Sequence, residues 1–171
     1  PNELIHYTSY NRMEFNNDTL RVAIKLYLQD EVKGMKLYGP IKNWNVSKVT
    51  DMSRIFHGAI RFNQPLNWNV ENDTDMCGMF HGAIRFNQSL DNWDVSNVQN
   101  MYSMFGITTA FNQPLNWNVM NVRDMSYMFA NAKSFNQPLL YWKVDNVADM
   151  SHMFYSASSF NQPLSNWNNT I

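Results

Sequence analysis

At 171 residues, with 13 basic against 14 acidic side chains, the chain is long enough for one buried core. It has no cationic run that could track a phosphate backbone, which argues against nucleic acid as a partner. No apolar stretch approaches the roughly 20 residues that span a bilayer and no signal-peptide pattern opens the sequence, so a soluble chain without membrane insertion is expected. The single Cys77 excludes an internal disulfide framework and argues against a structural metal cluster. Twelve Met, eleven Phe and six Trp beside only six Gly and six Pro point to a copied unit.

Residues 1–40 read as an N-terminal helical cap. Asn17-Asp18-Thr19 supplies a capping signal, and Leu20, Ala23, Ile24, Tyr27 and Leu28 form one apolar helical face. From Ile41 the chain repeats, so residues 41–171 are predicted to form a single continuous repeat domain of five units, entered without a linker through Gly39-Pro40-Ile41-Lys42-Asn43-Trp44-Asn45-Val46. Six tryptophans, Trp44, Trp68, Trp93, Trp117, Trp142 and Trp167, recur every 24 or 25 residues. A Phe-Asn-Gln triplet starts at Phe62, Phe86, Phe111, Phe135 and Phe160, and these Phe and Trp residues are the predicted structural core. Units run 51–74, 75–99, 100–123, 124–148 and 149–171, and the one variable residue falls between the Leu and the Trp, a tolerant turn.

Within a unit, Met52, Ile55, Phe56 and Ala59 stand at i, i+3, i+4 and i+7, which predicts a short helix capped by Asp51, Asp75, Asn100, Asp124 or Asp149. The Trp-x-Val pattern predicts a short strand, paired in parallel with its neighbours about 4.8 Å apart. Together these give the expected fold: an α/β solenoid, a leucine-rich-like right-handed coil with one short parallel strand and one short helix per repeat behind a helical cap.

The assembled pattern Asp-Met-Ser-x-Met-Phe-x-x-Ala-x-x-Phe-Asn-Gln-Pro-Leu-x-x-Trp-x-Val resembles the BspA-like, or DUF285, 26-residue bacterial surface-protein repeat over residues 41–171. The leader from Asp18 to Ile41 is similar to those on such arrays in large DNA viruses and some protists. The resemblance implies a leucine-rich-like array displayed on a surface or virion and used in adhesion or protein contact, without cofactor or common enzymatic activity. Ile55, Cys77 and Ser89 depart from the pattern.

Repetition also governs the candidate chemistry. His57 and His81 share a unit position, yet no third metal ligand repeats beside them. The Asp row at 51, 75, 124 and 149 reads as caps rather than a cation-binding row, because Asn100 serves equally well. Asn63, Asn87, Asn112, Asn136 and Asn161 read as an inward amide ladder, the Met-Phe pairs as core, and Cys77 as inert. No catalytic, metal or cofactor residue is assigned. If Trp and Val point inward, the residues between them form an outward row, Asn45, Asn69, Asp94, Asn118, Lys143 and Asn168, which is the predicted interaction surface. The expected function is a non-enzymatic structural or protein–protein interaction module whose partners are other proteins, docked on the repeat surface or on an open C-terminal coil. A carbohydrate-binding or carbohydrate-active solenoid is the alternative, with a glycan as occupant of the row.

Overall fold

The computed structural model describes residues 13–167. Its two α-helices among them both precede the first unit: α1 spans Asn17–Gln29 and α2 Glu31–Tyr38, followed by a single 3-10 turn at Ile41–Asn43. The cap of α1 is Asn16, not Asn17. Asn16 Oδ1 accepts from the Asp18 and Thr19 backbone N–H groups, while Thr19 Oγ1 accepts from Asn16 N–H. Asn17 instead bonds Thr50 and Asp51. Leu20, Ala23, Ile24 and Tyr27 of the predicted apolar face are buried, whereas Leu28, also assigned to that face, is exposed at the end of α1.

The expected α/β solenoid, with its leucine-rich-like coil, is not what forms. Among the described residues there is no β-strand, no sheet and no helix inside any repeat unit. The units nevertheless lie one on another, joined by isolated parallel bridges in the order Asp51, Asp75, Asn100, Asp124 and Asp149.

The segment read as a helix is a chain of tight turns. Alternate amides close turns within the unit: Ile55 N–H donates to Met52, His57 to Arg54 and Ala59 to Phe56. The amides between them cross to the next tier: Met52 donates to the Asp75 carbonyl (2.9 Å), Arg54 to Cys77 (2.8 Å), Phe56 to Met79 (3.0 Å) and Gly58 to His81 (2.7 Å). Of these, a type II turn needs a left-handed residue at its third position. Two occur per unit, four residues apart: Arg54 and Gly58, Gly78 and Gly82, Ser103 and Ile107, Tyr127 and Asn131, His152 and Ser156. A four-residue turn period places i and i+4 on one face as a 3.6-residue helix does, so apolar spacing over nine residues cannot separate the two.

The predicted Trp-x-Val strand fails for a different reason. Its inward–outward alternation is real, since Trp68 and Val70 are buried and Asn69 is exposed. However, the outward side chain captures a nearby amide: Asn69 Oδ1 accepts from Glu71 N–H, and Asp73 N–H then closes a turn onto Val70. Carbonyls that a neighbouring strand would have used accept from asparagine side chains of the following tier. Asn72 Nδ2 donates to Ser47, Asn97 to Glu71, Asn121 to Ser96 and Asn146 to Met120. With both partners of a ladder taken by side chains, no strand pairing forms.

Packing follows columns through the stack. Phe56, Phe80, Phe105, Phe129 and Phe154 stack on one another at 5.4 to 5.7 Å between ring centroids, and each rests 4.0 to 4.3 Å from the Phe-Asn-Gln phenylalanine of its own tier. Trp44, Trp68 and Trp93 stack at 6.5 Å, as do Trp142 and Trp167. Each indole from Trp68 to Trp142 donates to a carbonyl 27 residues back, so one side chain fills the core and bonds tier to tier. Burial of each such ring contributes about 1.5–3 kcal/mol before entropy, with a further increment for ring pairing.

Candidate functional site

The helices that the Asp row is expected to cap do not form; its side chains instead hold the head of each turn chain. Asp51, Asp75, Asn100, Asp124 and Asp149 each accept from the backbone N–H two residues on, at 2.8 to 3.0 Å. At Asp51 burial works to raise the carboxyl pKa, but hydrogen bonds from Ser53 and the Arg21 guanidinium bring it below the usual range. The Phe-Asn-Gln amides form a ladder. Asn63 Oδ1 accepts from Asn87 N–H and Gln88 Nε2, and the same pair of bonds recurs on Asn87, Asn112 and Asn136. It lies half-buried or exposed along the outside of the stack rather than inside it.

Residues of the predicted interaction row share one local structure. The side-chain oxygens of Asn45, Asn69, Asp94 and Asn118 each accept from the amide two residues on. Lys143 interrupts the row with a side chain that cannot do so, and Asn168 lies outside the described residues.

His57 and His81 stack face to face at 4.9 Å, with His81 Nδ1 2.8 Å from Ser103 Oγ. Burial, then the neighbouring His57 and Arg54 charges, lowers the His81 pKa. Gly106 occupies their unit position in the next tier, where a Cβ would stand 2.7 Å from His81 Nδ1, so the missing side chain is what admits the ring. Among the described residues no group of three or more His, Cys, Asp or Glu side chains is placed to hold a metal. Cys77 is a half-buried free thiol whose pKa is pushed up by burial.

Three features escaped the sequence reading. The first is Asp73, fully buried in the column that Val49, Val98, Val122 and Val147 fill in the other tiers. Its Oδ1 accepts from Met52 N–H at 3.2 Å, Oδ2 has no partner, and burial pushes its carboxyl up to about 7. Aligning the two residues before each Asp-Met would have exposed the substitution. The second is a ridge of partly exposed rings on the turn chain of the last three units. Tyr102 lies 6.0 Å from Tyr127, Tyr127 stacks on His152 at 4.8 Å, and Tyr155 meets His152 edge-on at 5.9 Å. The third is a shallow depression of about 330 Å³ on the far side of the tiers, between Met120, Tyr141 and Lys143.

The sequence matches the family described as "Mycoplasma protein of unknown function, DUF285" over residues 26–119 and 111–170. The chain belongs to the DUF285 family. The matched region begins inside α1, so it takes in the last turn of that helix and all of α2 as well as every repeat unit. No curated protein and no solved structure matches this DUF285 chain.

Proposed function

We propose that this DUF285 chain is a non-enzymatic protein-docking module. The observation that carries the reading is the exposed ridge Tyr102, Tyr127, His152 and Tyr155. These rings contribute nothing to the buried core, yet Tyr155 is 58% exposed and Tyr102 and Tyr127 are each more than a third exposed. Rigid aromatic side chains aligned on a fixed backbone form contact area at low entropic cost, as at the centre of protein interfaces. The repeated polar side chains, by contrast, have internal partners: the Asp row bonds the backbone of its own unit, while the Asn-Gln ladder and the Asn72 column bond tier to tier.

A second docking surface in this proposal is the face of the fifth unit. Met150, His152, Phe154 and Ser156 present amides with no partner among the described residues, beside the half-buried Phe154, Phe160 and Leu164. A partner there would need backbone carbonyls at alternate residues, the arrangement of edge augmentation.

Light scattering and a cross-linking pull-down from the native source test the reading. Specific partners lost on replacing Tyr102, Tyr127 and Tyr155 together by Ser support it. A strictly monomeric protein whose contacts ignore that triple change sinks it.

A further inference from the structure

We propose that the depression between the third and fourth units binds an acidic saccharide. The proposal goes beyond the protein-docking reading and does not rest on it, because the depression and the aromatic ridge are built from different segments of the unit.

Three departures from the repeat converge there. Met120 stands where other units have Glu71, Ser96 and Asp145. Lys143 replaces the Asn or Asp of the outward row. The tolerant turn before Trp142 carries Tyr141, whereas the residue before Trp is asparagine in the other four units, Asn67, Asn92, Asn116 and Asn166. Copying alone would have left polar residues at all three positions. Together with Asn116 and Asn118 these side chains line the same 330 Å³ hollow.

Its chemistry matches a sugar ring. Tyr141 is 81% exposed and makes no ring contact among the described residues, so a ring face is open to the C–H face of a pyranose. Each flanking amide is held at one end and free at the other. Asn116 Nδ2 is tied to Asp91 Oδ2 at 3.1 Å, leaving its Oδ1 to accept a hydroxyl proton. Asn118 Oδ1 is tied to the Met120 amide at 3.2 Å, leaving its Nδ2 to donate. One fixed acceptor and one fixed donor beside an aromatic face is the polar set a vicinal diol requires. Lys143 is the only charged side chain on the lining and has no partner among the described residues, which selects a carboxylate-bearing sugar over its neutral parent.

The test is a titration of the 171-residue chain with a galacturonic acid trimer, with the neutral galactose trimer, and with a short polyglutamate peptide, followed by amide NMR. Shifts centred on Asn116, Asn118, Tyr141 and Lys143, with the uronate bound at least about fivefold tighter than the neutral sugar, are expected. Tyr141→Ala should weaken both sugars about tenfold or more, while Lys143→Gln should abolish only the preference for the acid. Both residues are exposed, so an unchanged unfolding midpoint shows that each variant is folded. No shift with either sugar, shifts indifferent to Tyr141→Ala, or polyglutamate binding as well as the uronate would each overturn the proposal. None of these outcomes bears on the Tyr102, Tyr127 and Tyr155 contacts.

Discussion

The two ends of the stack present opposite halves of one hydrogen-bonding pattern. Along the turn chain each inner unit gives amides to the tier after it and carbonyls to the tier before it, so there the first unit faces the N-terminal side with carbonyls and the fifth faces the other side with N–H groups. At the first end α1 closes the pattern: the Arg21 guanidinium donates to the Ser53 carbonyl at 2.7 Å, to the Asp51 carbonyl at 3.3 Å and to the Asp51 carboxylate at 3.0 Å. A helix can therefore cap a stack of turns without resembling one, provided its side chains supply the missing donors. At the fifth unit no such side chain follows among the described residues, and Met150, Phe154, Phe160 and Leu164 are only half-buried where their counterparts in inner tiers are buried.

That contrast has a measurable depth. Phe105 is fully buried between two tiers, whereas Phe154 has a tier on one side alone among the described residues. Phe105→Ala should cost about 3–5 kcal/mol in urea unfolding and Phe154→Ala about half as much. Equal losses would mean that the last tier is as enclosed as the middle ones.

Asp73 interrupts the otherwise apolar column near the first end, and its effect should appear as pH dependence. Its carboxyl titrates near 7 when folded and near 3.8 when unfolded, so the native state holds a proton that the unfolded chain releases. The stability that this proton supplies is complete below about pH 4 and is lost as pH rises through 7, by about 4 kcal/mol in all. The nearby Asp51, whose pKa is lowered, works in the opposite sense and only under acid conditions. His81, whose lowered pKa favours the folded state as pH rises, opposes Asp73 between pH 5 and pH 8. Urea midpoints at the two pH values are therefore compared with those of Asp73→Val, which should abolish the loss on raising pH and be more stable at pH 8. A fall in stability with rising pH retained in that variant would assign the effect elsewhere.

Removing the capping guanidinium by Arg21→Ala should cost about 2 kcal/mol, since it leaves the Ser53 carbonyl without its donor in a partly buried position. The loss should show as faster exchange in the first unit rather than the fourth. The smallest effect is expected at Ile107, a β-branched residue held at φ 57° where the first two units have Gly58 and Gly82. Ile107→Gly should raise stability by up to about 1 kcal/mol, because the left-handed strain is relieved and the side chain is already partly exposed.

Much of this was legible in the sequence because repetition reveals which positions share a column. Trp spacing located the stacked indoles, and the apolar face from Leu20 to Leu28 located α1, although Leu28 itself is exposed. The elements inside a unit were misread because nine residues of apolar spacing fit both a helix and a four-residue turn period. Only Gly58, Gly78 and Gly82 hinted at left-handed backbone; Ser103, Tyr127 and His152 gave no sign of it. The Trp-x-Val alternation was right about burial and wrong about pairing, since alternation cannot show that Asn69 and Asn97 will take the backbone groups a strand needs. The ridge was hidden because its rings occupy unlike positions of the pattern, Tyr102 at one and Tyr127 and His152 at the next.

The turn chain itself is tested most directly by amide hydrogen exchange across residues 150–157. In the fifth unit the amides of Met153, Tyr155 and Ala157 close turns, whereas those of Met150, His152, Phe154 and Ser156 have no partner among the described residues. Protection should therefore alternate there, and become continuous in the corresponding run of the fourth unit, Met125 to Ala132, where both sets of amides are bonded. Unbroken protection from Met153 onward would instead indicate a helix and contradict the turn chain.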